Sequence, residues 1–181
     1  MELLAKLDRN ILFFIQDHIR CAPLDALMRF MTFLGDMGLI WIVVGIILMT
    51  SRKTRTAGIM TIVTLGLTAG LNDKILKNII MRPRPYVTHF GLGILIEAQK
   101  SYSFPSGHAS SSFAAATAIT LFCGKKGALA YIPAALIALS RIYVGVHYPT
   151  DIFFGALLGT CMGILIRWAY VVLINPKSSV Q

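Results

Sequence analysis

The sequence predicts an all-α integral membrane helical bundle, with an amphipathic interfacial helix at the N-terminus and about five transmembrane helices after it. Three observations carry this. Of 181 residues, 56% are hydrophobic and only 14% charged, whereas a soluble domain carries about 25% charged residues. Apolar stretches recur along the chain, near the roughly 20 residues that cross a bilayer. The connectors between them are short and polar. The length suits one domain, residues 1–181.

Residues 1–22 form the interfacial helix. Leu3, Leu4, Leu7, Ile11, Phe14 and Ile15 recur at helical spacing, with Glu2, Lys6, Asp8, Arg9 and Asp17 between them. No stretch here is apolar for long enough to span, and an amphipathic pattern of this kind lies along a membrane surface. Charge mixed with apolar residues throughout also gives no cleavable signal peptide. The first span runs roughly from Phe30 to Thr50 and is interrupted only by Asp36. The second runs from about Ala57 into Lys77, and the third from after Pro105 to near Cys123. The fourth runs from about Leu129 to Val144, and the fifth from about Pro149 to Ile174.

Basic residues set the orientation. Arg52, Lys53 and Arg55 occupy the first short loop, Lys125 and Lys126 the third, and Lys177 follows the last span. Chain order puts all of them on one side, which the positive-inside rule makes cytoplasmic. With five spans the N-terminus is then extracytoplasmic. The net charge of +9 does not point to nucleic acid, because domains that bind it are rarely this apolar. Cys21, Cys123 and Cys161 show no paired spacing and read as small apolar residues.

Ionisable groups meet the spans near one end: Asp73, Lys74 and Lys77 on the second, His108 on the third, Arg141 on the fourth and Asp151 on the fifth. Charges in a membrane are costly and mark function by default. The set combines fixed cations, two histidines and a carboxylate four residues after one of them. Cations and backbone amides bind phosphate, and a phosphoryl transition state spreads its charge over three oxygens that need several donors at once. A neutral histidine can attack phosphorus, and a protonated one can release a leaving group. Ser106-Gly107-His108 follows Pro105 at a helix start, where a hydroxyl and free amides face an anion. His147 and Asp151 are four apart across Pro149, so the carboxylate can hold one ring nitrogen and leave the other basic. The residues alone do not decide which histidine attacks, although this carboxylate favours His147.

The same segments carry a resemblance. Lys77-Asn78-Ile79-Ile80-Met81-Arg82-Pro83-Arg84-Pro85 resembles the first signature of the type 2 phosphatidic acid phosphatase family. Pro105-Ser106-Gly107-His108 resembles the second, and Ser140-Arg141 through His147 to Asp151 the third. All three are complete, in order, and cover residues 77–151. The resemblance implies a membrane lipid phosphatase of the bacterial phosphatidylglycerophosphatase B or undecaprenyl diphosphatase type, without metal or other cofactor. It implies His147 as nucleophile and Asp151 as its orienter, with His108 protonating the leaving oxygen and later activating water. Lys77, Arg84 and Arg141 clamp phosphate oxygens, and Ser106 and the Gly107 amide complete the cradle. The implied substrate is a lipid phosphate or diphosphate on the extracytoplasmic side of a bacterial cytoplasmic membrane: undecaprenyl diphosphate, phosphatidylglycerophosphate or phosphatidate. The chain departs from the family in having five spans where some members have six, and in Gly107 where some relatives acting on undecaprenyl diphosphate carry Asp.

Competing readings follow from the same residues. His147 and Asp151 could be metal ligands, but a site needs three or four donors and the surrounding cations repel a metal. Asp73 and Lys77 could be a plain i, i+4 ion pair. Arg82 reads equally as a phosphate ligand or a loop cation at the interface. His18 and His89 match no motif. A phosphotransferase with a lipid or sugar acceptor would use the same groups. A non-enzymatic binder of lipid phosphate would need the cations but not a histidine with its own carboxylate.

Overall fold

A computed structural model describes residues 2–175, which form helices and connecting loops and, among the described residues, no strand. Lys177, expected on the cytoplasmic side, lies outside the described residues. Helix α1 (Glu2–Phe14) continues through a wider turn at Ile15–Ile19. Its Leu3, Leu4, Leu7, Ile11 and Phe14 are exposed on the protein surface, while Asp8 and Leu12 face the bundle. The apolar stripe thus points outward, where a bilayer can cover it. The inward face carries a carboxylate.

Helix α2 (Ala22–Gly35) opens with Pro23 in its first turn, where the missing amide costs nothing. It ends at Asp36–Gly38, where Met37 and Gly38 are both left-handed, at φ 52 and 71. Helix α3 (Leu39–Thr50) therefore leaves in a new direction. Helix α2 packs on α8 and α3 packs on α4, so the stretch is two elements rather than one rod. Trp41 of α3 is 1% exposed and donates from Nε1 to Ser112 Oγ at 2.9 Å, which ties α3 to α7.

Helix α4 (Arg55–Ala69) runs through a π-helical segment, Gly70–Leu76, into the short α5 (Lys77–Ile80). One-turn π segments inside helices are frequent at functional sites, because the extra residue re-aims the side chains that follow. Here those include Lys77. Met81 then turns left-handed, with φ 47, and the chain passes through Arg82-Pro83-Arg84 into α6 (Pro85–Thr88).

Helices α7 (Gly107–Cys123) and α9 (Pro149–Ala169) form the central pair. Gly155, Gly159 and Gly163 recur every four residues on α9 and meet Ser106, Ser110, Ala114 and Thr117. A methyl on Gly159 would overlap the Ser110 carbonyl. Small residues let helix backbones approach closely, which is how helices associate in lipid. Between the pair, α7 reverses at Gly124–Ala130 into α8 (Tyr131–Tyr143).

Among the described residues, four helical stretches are long and apolar enough to cross a membrane: Ala22–Thr50, Arg55–Thr88, Gly107–Tyr143 and Pro149–Ile174. The sequence reading expected five spans. The difference lies in the third stretch, which is the hairpin of α7 and α8. His108 near its start and Arg141 near its end line the same cavity, so the chain has folded back between them.

Candidate active site

The cavity, about 480 Å³, opens at the end of the bundle where α5 and α8 finish and α7 and α9 begin. Lys77, Arg84, Gly107, His108, Arg141 and His147 all line it. Six groups from distant parts of the chain thus converge. Ile42, Ile62 and Leu65 of α3 and α4 form an apolar wall beside them.

His147 precedes α9 and is 2% exposed. Its Nδ1 lies 3.2 Å from Asp151 Oδ2, and that oxygen also accepts the Tyr148 amide at 2.9 Å. A carboxylate can only accept from the ring, so Nδ1 carries the hydrogen and Nε2 is left with a lone pair. Arg84 Nη1 lies 3.3 Å from Nε2, on the cavity side. Burial lowers the His147 pKa well below its ordinary value, and the positive charges of Arg141, Arg84 and Lys77 push it the same way. The ring is therefore neutral and nucleophilic at neutral pH.

Arg84 is 4% exposed and held rigidly. Its Nε donates to Ser101 O at 2.7 Å, Nη2 to Ser101 Oγ at 3.1 Å and Nη1 to Val146 O at 3.0 Å. Arg141 is 2% exposed, bonded to the Thr32 hydroxyl through Nη1, and its Nε has no partner. A buried guanidinium with an unmet donor, facing a cavity, is prepared for an anion. Lys77 Nζ pairs with Asp73 Oδ1 at 2.7 Å. A methyl on Gly107 would sit 3.5–3.6 Å from the Asp73, Asn72 and Lys77 polar atoms. The bare Gly107 backbone thus keeps the approach to this amine open.

His108 has its own carboxylate. Its Nε2 lies 3.0 Å from Asp36 Oδ1 and 3.1 Å from Thr32 O. Two acceptors on one nitrogen make it the donor. Asp36 appears in the sequence only as a break in an apolar span. An intramembrane carboxylate was its one signal.

Ser106 is placed differently from its companions. It is fully buried, its Oγ accepts the Ala109 amide at 3.4 Å as the α7 cap, and it does not line the cavity. Asp151 is likewise behind the wall, in contact with His147 rather than with the cavity. Arg82 joins neither wall nor cavity. Its Nη1 donates to Asp151 Oδ1 at 2.6 Å and its Nη2 to Asp8 Oδ2 at 2.8 Å. His89 packs its ring against Phe13 and Tyr148, at 6.4 and 5.9 Å between centroids.

The sequence profile of the PAP2 superfamily matches residues 56–174, which include every cavity cation and both histidines. The chain belongs to the PAP2 superfamily. Among its PAP2 relatives, an undecaprenyl-diphosphatase of Sulfolobus acidocaldarius is 32% identical over 155 residues, or 85% of this chain and 74% of its own length. Phosphatidylglycerophosphatase B of Bacillus subtilis is 31% identical over 163 residues, covering 82% and 76%. The crystal structure of Aquifex aeolicus LpxE matches with a TM-score of 0.75 and 32% identity, over 91% of this chain and 94% of that one. A transmembrane PAP2 phosphatidylglycerolphosphate phosphatase from Bacillus subtilis matches with a TM-score of 0.74 and 27% identity, over 100% and 89%. The PAP2 chain is thus an all-α, multi-pass membrane protein.

Proposed function

We propose that this protein is a metal-independent membrane lipid phosphatase that works through a phosphohistidine on His147. The observation that carries it is the split environment of the His147 ring: Nδ1 held by Asp151, Nε2 unprotonated at a cavity lined with Lys77, Arg84 and Arg141. The relatives named as phosphatases of lipid phosphates support the substrate class.

The chemistry follows from the positions. The three cations and the Gly107 amide hold the non-bridging phosphate oxygens, and Arg141 has a donor to give. The same cations repel a divalent metal. His147 Nε2 attacks phosphorus, a P–N bond forms, and the P–O bond to the lipid breaks. His108 acts as an imidazolium: its Nε2–H stays with Asp36 and Thr32, and its Nδ1 gives a proton to the departing oxygen. Water then enters, His108 takes a proton from it, and the P–N bond breaks to release phosphate. The apolar wall of Ile42, Ile62 and Leu65 suits the tail of an amphiphile.

Orientation follows from charge. Chain alternation puts Arg52, Lys53, Lys125 and Lys126 at the end opposite the cavity, so the site faces the extracytoplasmic side of the membrane. The substrate is then a lipid phosphate or diphosphate of the outer leaflet, the class to which undecaprenyl diphosphate and phosphatidylglycerophosphate belong.

The test is phosphate release by purified protein in detergent, with chelator present. The expected result is release that His147→Ala abolishes. Wild-type protein quenched during turnover of labelled substrate carries an acid-labile, base-stable phosphate, and His147→Ala carries none. Wild-type turnover in a folded His147→Ala variant sinks the mechanism.

A further inference from the structure

We infer that Asp8 and Arg82 are positioning residues for the His147–Asp151 pair, so that the N-terminal helix is part of the catalytic apparatus. The inference rests on the reading of His147 as nucleophile. It starts from an oddity of α1. A helix that exposes Leu3, Leu4 and Leu7 buries a carboxylate: Asp8 is 2% exposed. A buried ion is costly unless paired and hydrogen-bonded, and the partners of Asp8 lie about 75 and 140 residues away in sequence, at Arg82 and Thr150.

The bonds form a continuous row. Asp8 Oδ1 accepts the Thr150 amide at 3.0 Å, a free donor in the first turn of α9. Asp8 Oδ2 accepts the Thr150 hydroxyl at 2.5 Å and Arg82 Nη2 at 2.8 Å. Arg82 Nη1 donates to Asp151 Oδ1 at 2.6 Å and to the Thr150 hydroxyl at 2.7 Å. Its guanidinium also lies over the Tyr148 ring, 3.8 Å from the centroid. Asp151 Oδ2 then holds His147 Nδ1 and the Tyr148 amide. Asp8, Arg82 and Asp151 thus alternate in charge and end at the nucleophile.

Each member has a definite task. Asp151 is fully buried, and Arg82 supplies its counter-charge. With both Asp151 oxygens committed, the carboxylate cannot rotate away from the ring. Arg82 forks across two carboxylates, a geometry that lysine cannot copy. Asp8 holds the second arm of the fork and keeps Arg82 off the phosphate side. Arg82 does not line the catalytic cavity, so it is not another phosphate clamp.

The experiment uses the full-length protein in detergent and reads kcat and KM for phosphate release from a lipid phosphate. Asp8→Asn keeps an oxygen for the Thr150 amide and removes the charge. Arg82→Lys keeps the charge and removes the fork. Each is expected to lower kcat about tenfold and leave KM within about twofold, as coupled neighbours do. In an Asp151→Asn background, Asp8→Asn is expected to cost less than about twofold more, because its effect passes through Asp151. Unchanged kcat in both folded variants, a loss confined to KM, or full multiplication of the two losses would overturn the inference. If Asp8→Asn does not fold, Arg82→Lys decides alone. A His147→Ala control separates the two readings. Retained turnover there defeats the nucleophile assignment, whereas strict dependence on His147 with multiplicative losses defeats only the positioning pair.

Discussion

The two ring nitrogens of His147 meet opposite surroundings, Nδ1 at the Asp151 carboxylate and Nε2 at the cavity beside Arg84, which is what the proposed nucleophile requires. Burial and three cations keep His147 neutral, so no proton must leave before attack. A pH dependence follows. The folded ring takes a proton only well below the ordinary value near 6.5, whereas the unfolded ring takes it near 6.5. The unfolded state therefore binds more protons between the two values, and stability falls as pH drops from about 6.5 toward the folded value. Thermal unfolding in detergent between pH 8 and 5 should show wild type losing more stability than His147→Gln. Arg141 gives a second prediction. Its guanidinium reaches the cavity and is only partly used by Thr32, so Arg141→Gln should lower kcat about a hundredfold, the loss typical of one donor to a developing anion. Steady-state kinetics on folded protein check it. The meeting of Lys77, Arg84, Arg141 and the two histidines at one cavity, with Asp151 on His147, was legible in the sequence because motif spacing carries it. Asp8 and Arg82 were not. One sits among other charges on an amphipathic helix and the other in a basic loop, so neither departs from a local pattern. Only the tertiary approach of three distant segments distinguishes them.

At the scale of elements, the site depends on how closely α7 and α9 approach. One carries His108, the other carries Asp151 in its first turn, and Ser106 N donates to Asp151 O at 3.1 Å across the gap. The Gly155-Gly159-Gly163 stripe sets that distance. Gly159→Val should force the helices apart, since its Cβ meets backbone rather than a movable side chain. Overpacking of this kind costs about 1–3 kcal/mol. The expected outcome is a lower unfolding temperature together with lost turnover. Gly66→Val, where no atom lies near, should leave the unfolding temperature unchanged. Hydropathy located these helices well but described their breaks poorly. It reads apolar content and is blind to direction, so the turn at Met37–Gly38 passed as a continuous span. The Asp36 that interrupts it proved to be the partner of His108 rather than a flaw in the span.

At the scale of the molecule, one end of the bundle gathers cations around a cavity and the other carries basic residues in its short loops. Sequence alone could not separate these uses, because Lys77, Arg82, Arg84, Lys100 and Arg141 on the site's side dilute the positive-inside signal. The structure removes the ambiguity for four of them: Lys77, Arg84 and Arg141 face the cavity and Arg82 is paired with two carboxylates. What remains at the far end is two short basic loops, Arg52, Lys53 and Arg55 and then Lys125 and Lys126, against scattered Lys6, Arg9, Arg20, Lys74 and Lys100 near the site. The short loops between spans are where the rule counts charge, and their two basic clusters predict the orientation. Lys100 and Lys53 are both exposed and lie in opposite connectors. In a background lacking Cys21, Cys123 and Cys161, Lys100→Cys should react with an impermeant thiol reagent in intact cells. Lys53→Cys should react only after the membrane is broken. The reverse pattern would place the cavity on the cytoplasmic side. The substrate would then be a lipid phosphate of the inner leaflet, and the loop cations would have to be explained by something other than insertion.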